Sequence, residues 1–317
     1  MKKVVDYRGV LLFLLLSFSG AWLVSLPLWI SQKGLLHPFT GIVLLVMMAV
    51  PALAVLVVYM LNGGTEKTRL LGLGFGSKGW WRYWVFGWFI VPLFAIFAPF
   101  MSSAFGLYTL DVQNFSGFKE LLASGKGGVD PDAVPVRLLV FGQLFSIFLS
   151  PVLNAVFVFG EEIGWRGYLL PRLLPLGQWP ALLISGIVWG LWHAPVVLLG
   201  YNYPQHPVYG VFFMMILCVV FGVLFGWTRL ATGSIWPAVI AHGALNGSAG
   251  VMYLFSKAGT TFDTAHAGIT GWTGWILPVL WILILLITRR LPVSDPPDER
   301  LLQMESEAKS VQVEKDR

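Results

Sequence analysis

The chain has 317 residues, 56% of them hydrophobic and only 12% charged, with a formal net charge of +5. Soluble domains carry about 25% charge, so the polar surface of a water-soluble fold is lacking, and disordered, collagen-like and disulfide-built chains are excluded by the same figures. An integral membrane protein remains. The positive balance then belongs to loops at a membrane surface, with the lipid bilayer and no nucleic acid as partner.

Eight apolar stretches are each long enough to cross a hydrocarbon core of about 30 Å as a helix. They run at about 10–30, 40–61, 80–100, 137–159, 180–199, 208–227, 235–254 and 271–290. In lipid every backbone polar group must be paired internally, and these stretches are too long for barrel strands, so all are predicted as helices. The expected fold class is all-α, a polytopic membrane protein of about eight transmembrane helices in one bundle.

The first stretch follows Lys2, Lys3 and Arg8, has no small-residue cleavage site after Leu16, and reads as a retained signal-anchor. Tryptophans and tyrosines gather at the ends of the stretches (Trp80, Trp81, Tyr83 and Trp84; Tyr201 and Tyr203; Trp272 and Trp275), where an interfacial belt is expected. Residues 101–136 form the one long non-cytosolic loop, rich in Gly, Ser and Asp, which serves as a cap or a linker. Beyond residue 290 a tail with Pro292, Asp295, Pro296 and Pro297 reads as cytosolic, with a short helix near Glu299–Lys309, and as too polar to bury much. The chain divides accordingly into a three-helix region with its loop (1–136), a core (137–254), a last helix (255–290) and the tail (291–317).

An even number of spans puts both termini on one side. That side holds twelve lysines and arginines in its loops against five on the other, which predicts a multi-pass protein of the cell membrane with both termini in the cytosol. The single cysteine, Cys218, lies in an apolar run and reads as a small hydrophobe.

Ionisable groups inside apolar spans are costly and default to function. Three places qualify. Glu161 and Glu162 end the fourth stretch, and Arg166 lies one turn beyond Glu162, so Glu162 is expected to be braced and Glu161 left free. His193 sits deep in the fifth, two residues before Pro195, which weakens the helix there. In the seventh, His242 and Asn246 share a face, while Gly243 and Gly247 permit close helix approach. His37, His206 and His266 fall in loops and read as solvated.

Together these places supply one free carboxylate, two imidazoles and a carboxamide. A carboxylate can take a proton from water, an imidazole can orient that water, and N–H donors can hold a developing oxyanion. The same groups could instead hold a divalent metal. There is no H-E-x-x-H pair and no G-x-S-x-G elbow. Two other readings stand beside hydrolysis: a non-catalytic immunity or scaffold protein, which has no need of all four groups, and a transporter, which calls for paired broken helices that the sequence lacks.

At these residues the sequence resembles the CPBP (Abi, CAAX-processing) family of intramembrane endopeptidases. The family pattern E-E-x-x-x-R, F-x-x-x-H, H-x-x-x-N is matched by Glu161-Glu162 with Arg166, Trp189 with His193, and His242 with Asn246, over about residues 137–254. The resemblance implies an eight-helix bundle with a conical cavity open to the cytosol. It implies Glu161 as the water-activating carboxylate with His193, His242 with Asn246 as the oxyanion pair, and Glu162 and Arg166 as supporting residues. Trp189 departs from the usual phenylalanine and is expected to alter the shape near the site. The implied substrate is a membrane-associated peptide or protein, prenylated or bacteriocin-like. The family chemistry is read both with a metal such as Zn²⁺, which Glu161, His193 and His242 would hold, and with none.

Overall fold

A computed structural model describes residues 5–61, 68–77, 79–125, 130 and 133–300, and it is helical throughout its membrane region. Its helices are α1 (Tyr7–Ile30), α2 (Thr40–Leu61), α3 (Trp81–Ala104), α4 (Ser116–Ser124), α5 (Val136–Glu162), α6 (Leu170–Leu173), α7 (Gln178–Trp192), α8 (Ala194–Val197), α9 (Pro207–Thr232), α10 (Trp236–Gly247), α11 (Val251–Phe255) and α12 (Ile276–Ile287). All eight apolar stretches are helical. Six segments of the described residues are long and apolar enough to cross a membrane: α1, α2, α3, α5 with α6, α9, and α10 with α11. The protein is an all-α, multi-pass membrane protein.

The other two stretches fall short of a span. The fifth breaks where Pro195 was expected to weaken it: α7 stops at Trp192, His193 forms the turn, and α8 restarts with the proline in its first turn, where no N–H is needed. The eighth begins as a 3₁₀ turn at Trp272–Trp275 and becomes α12, which is 12 residues long. At 1.5 Å per residue, neither 15 nor 12 residues crosses the core unaided.

The bundle is built on close backbone approaches around α5. A Cβ at Gly160 would lie 3.0 Å from the Ala49 Cα of α2, and one at Gly243 would lie 2.9 Å from the Pro151 carbonyl. Asn154 then reaches across to donate to the Gly243 carbonyl (3.2 Å). Small residues let these helices touch, so α2, α5 and α10 form one tightly packed group.

Within the 101–136 segment, residues 108–122 dock onto α11 and the loop that follows it. Helix α4 packs Phe118, with Tyr108, against Val251, Met252 and Phe255 of α11. Backbone bonds seal the join, from Asp111 N to Phe255 O (2.8 Å) and from Gly117 N to Ser256 O (2.9 Å). The Asp111 carboxylate accepts from Ser116 Oγ and from the Asn114 and Ser116 N–H groups, and these bonds lower its pKa from 3.8 to about 2. A carboxyl depressed on folding lends stability above its unfolded pKa and loses it as pH falls through the folded one. Pepsin is therefore expected to spare the 116–124 segment at about pH 4 and to cut it near pH 2, whereas an Asp111→Asn variant is cut at both. Equal cleavage of the two proteins at pH 4 would remove this role from Asp111.

The tail differs from its sequence reading. Asp298 is 1% exposed and pairs with the fully buried Arg229 (2.8 Å). Gln178 of α7 meets Val293 through both amide atoms, donating to its carbonyl and accepting from its N–H. A polar tail can bury a carboxylate when a guanidinium waits for it. Helical structure runs over 297–300, and the rest of the helix expected near Glu299–Lys309 lies outside the described residues.

Candidate active site

Glu161 and Glu162 sit at the last turn of α5, where it widens into a π turn over Ile163–Leu169. Neighbours on a helix point about 100° apart, so the two carboxylates meet different partners. Glu162 Oε1 accepts from Arg166 Nη1 (2.7 Å), the bracing the spacing predicts. It also accepts from His242 Nδ1 (2.8 Å), a pairing across 80 residues that the sequence does not signal. Glu161 Oε2 accepts from the Trp189 indole N–H (2.7 Å). The Arg166 guanidinium lies 4.3 Å from the centre of the Trp189 ring, so one tryptophan links the two carboxylates. A phenylalanine there would stack but could not donate, which makes the departure from the family pattern a change of chemistry as well as of shape.

The histidines are held in defined tautomers by their neighbours. His193 Nδ1 lies 2.8 Å from the Trp189 carbonyl and can only donate to it. His242 Nδ1 likewise donates to the Glu162 carboxylate. Each neutral ring therefore keeps its lone pair on Nε2. Trp192 packs edge-on against His193 (4.9 Å) and Trp189 against His242 (5.1 Å), which fixes the ring planes.

Glu161, His193, His242 and Asn246 all line one cavity of about 180 Å³. Its buried end is formed by Glu161, Trp189 and His242; towards the exposed end lie Tyr201, Asn202, Asn246, Ala249 and Thr270. Leu44, Met47 and Met48 of α2 give it an apolar wall. Tyr201, Asn202 and Thr270 come from loops with no periodic pattern; the sequence marks Tyr201 only as an interfacial aromatic and does not single out the other two. The exposed end is on the side opposite both termini.

Donor distances bear on the metal question. Among the described residues, the one group of three donors within 4.8 Å of each other is His206, Asp263 and His266; Glu161, His193 and His242 are not so gathered. The site as it stands does not fit a single ion on those three ligands. His206 Nε2 lies 2.6 Å from Asp263 Oδ2, and Trp272 donates to His266 Nδ1 (3.2 Å), which keeps the neutral His266 ring's proton on Nε2, 3.9 Å from the same carboxylate. His206 thus hydrogen-bonds this oxygen and His266 faces it at ion-pair distance only, a clamp in place of the free solvation expected for them. Partial burial alone would raise the Asp263 carboxyl, but the Ala265 N–H and the His206 ring outweigh it and hold it below the usual range. The clamp ties the 263–272 loop, which carries Thr270 of the cavity rim, to the start of α9. His37 donates nothing to the site; its Nδ1 accepts from the Phe39 N–H (3.2 Å) in the loop before α2.

Residues 136–248 match the family model described as Type II CAAX prenyl endopeptidase Rce1-like. The segment belongs to the CAAX protease family. The Rce1-like stretch opens at the first residue of α5, closes just after α10, and contains every motif residue above. A CAAX prenyl protease 2 of Methanococcus maripaludis is 34% identical over 115 residues, a match covering 33% of this chain and 42% of that protein. The chain thus spans less than half the length of this relative.

Proposed function

We propose that the chain is an intramembrane endopeptidase that hydrolyses a peptide bond of a membrane-associated protein or peptide. One observation carries the reading: four polar side chains from two helices and the turn after α7, up to 85 positions apart, line a single cavity inside an apolar bundle. A binding surface has no need of that convergence, and each group costs free energy in such surroundings.

The residues divide the work by their hydrogen bonds. The Trp189 N–H holds Glu161 Oε2, leaving Oε1 to take a proton from water. His193, anchored through Nδ1, offers the Nε2 lone pair that orients the same water. Attack of the water oxygen on the carbonyl carbon forms the C–O bond and places negative charge on the carbonyl oxygen. Asn246 supplies an amide N–H to that oxygen. His242, oriented by the Glu162 carboxylate on its Nδ1, donates to the same oxygen from Nε2 when both ring nitrogens carry protons. Arg166 holds Glu162 in place for this through its own bond to Oε1. The proton held by Glu161 then passes to the leaving amine as the C–N bond breaks. No step is routed through a metal, because the donor atoms do not gather around one.

The test is a comparison of membrane-protein termini in cells making the wild-type chain or a Glu161→Gln variant at equal levels. A membrane-associated protein or peptide processed only in the wild type is the expected result. Identical termini in the two would overturn the proposal. With such a substrate and purified protein, cleavage is expected to survive chelator treatment. Loss on chelation with rescue by Zn²⁺ or Co²⁺ would assign a metal mechanism instead.

A further inference from the structure

We propose that His206, Asp263 and His266 form a binding site for a divalent transition-metal ion, best suited to Zn²⁺, which latches the loop carrying Thr270 to the start of α9. None of the three residues lines the cavity that holds Glu161. The inference goes beyond the endopeptidase reading and does not depend on it.

The donor set comes first. Two imidazoles and a carboxylate bring ligand atoms within 4.8 Å of one another. His206 Nε2 lies 2.6 Å from Asp263 Oδ2, and His266 Nε2 lies 3.9 Å from the same oxygen. Tetrahedral zinc, with bonds of about 2.0–2.2 Å, spaces its ligand atoms about 3.4 Å apart. One separation is shorter than this and the other longer, so each side chain has to shift by less than about 1 Å. The side chains of His206, Asp263 and His266 are 39%, 31% and 45% exposed, which leaves them room to do so and opens a fourth position to water. Imidazole nitrogen selects zinc and its transition-metal neighbours over magnesium and calcium, which take oxygen ligands.

The frame stands without the ion. The Asp263 carbonyl accepts from the His266 and Ala267 N–H groups (3.0 and 2.8 Å), a turn that sets Asp263 and His266 on one face. The Ala265 N–H holds Asp263 Oδ1 (2.9 Å), so Oδ2 is the oxygen left for a metal. His206 arrives from 57 positions away, immediately before α9. Its neighbour Gln205 donates to the Phe262 carbonyl and accepts from Thr264 Oγ1 (3.2 Å each), which fastens the chain on both sides of Asp263. Metal ligands are oriented by supporting bonds of this kind.

Trp272 supplies a signature. Coordination through His266 Nε2 needs a lone pair there, so the proton of the neutral ring must sit on Nδ1. The Trp272 indole N–H now donates to that Nδ1 (3.2 Å). Two N–H groups cannot face each other, so metal binding displaces the half-exposed indole and competes with one hydrogen bond. Ile269 and Thr270 of the cavity lining lie between Asp263 and Trp272, so the ion would fix part of the rim.

Zn²⁺ titrated into the full chain, purified in detergent and stripped of metal, is expected to bind and to raise the melting temperature by mass action. His206→Gln and Asp263→Asn are each expected to weaken binding by more than the about 10–100-fold that loss of a supporting partner costs, and to abolish the rise. Trp272→Phe keeps an aromatic ring against Phe105 but has no N–H, and is expected to bind Zn²⁺ about fivefold more tightly, the weight of one hydrogen bond. Unfolding without metal verifies that each variant is folded. Because the ion touches no reacting atom, stripping it is expected to leave cleavage running. Absence of binding in the wild type, or wild-type affinity in His206→Gln and Asp263→Asn, overturns the proposal. So does binding lost in Glu161→Gln but kept in His206→Gln, which would put the ion in the cavity. Zinc held by these three residues, together with unchanged termini in the Glu161→Gln cells, would sink the protease reading and leave the metal site standing.

Discussion

Alanine at Glu161 is expected to slow peptide cleavage by about 10⁴-fold, the upper end of what a positioned base contributes. Alanine at Asn246 is expected to slow it by about 10²–10³-fold, the usual loss for one oxyanion donor. The difference follows from where each group acts. Without Glu161 the cavity has no carboxylate free of a charged partner, because Glu162 is already committed to Arg166 and His242. Without Asn246 the water is still activated and one donor remains. His193→Ala should resemble Glu161→Ala, and the double variant should be little worse than either, since both act on one water. His242→Ala should fall in the range of Asn246→Ala but also lower the melting temperature, because it removes a partner of the buried Glu162. The measurements are kcat/KM on a cleaved peptide and thermal unfolding in the same detergent. A Glu161→Ala enzyme within tenfold of wild type would remove that residue from the chemistry.

The parts legible in the sequence are those set by local spacing. Apolar length located every membrane helix, and the one-turn separation of Glu162 and Arg166 foretold a contact that is present at 2.7 Å. Pro195 foretold the break beside His193. Long-range pairs left no such trace. Nothing in a one-dimensional reading ties His242 to Glu162, so the histidine was expected only to serve the oxyanion and the glutamate only to be braced. Six of the eight expected spans are long and apolar enough among the described residues, and the other two are not confirmed for a related reason. Hydropathy measures how apolar a run is, but the α7 break and the 3₁₀ start of α12 depend on turn geometry and on neighbours that cover the exposed backbone. The loop at 101–136 was ambiguous because its composition is polar, while its docking depends on a few apolar side chains such as Phe118. Arg229 was counted among loop charges that set orientation, and its burial depends on a carboxylate from a tail that looks solvated by composition.

That last pair carries the largest expected effect on stability. Asp298→Ala would leave the Arg229 guanidinium fully buried with its charge unmatched, and breaking a buried pair from one side costs about 3–5 kcal/mol. The two carbonyl acceptors at Leu70 and Arg166 remain, so the guanidinium keeps hydrogen bonds but loses its counter-charge. Removing both partners is a different matter. An Arg229→Met, Asp298→Leu double variant fills similar volume without a charge and is expected to recover most of the loss. Unfolding in detergent should therefore rank the single variant well below the double, which should approach wild type. If Asp298→Ala melts like the wild-type protein, the tail does not stabilise the bundle through Arg229. Tail docking through this pair also predicts a local consequence: in the single variant, a cysteine placed at the buried Thr232 should become reactive towards a maleimide that the wild-type background excludes.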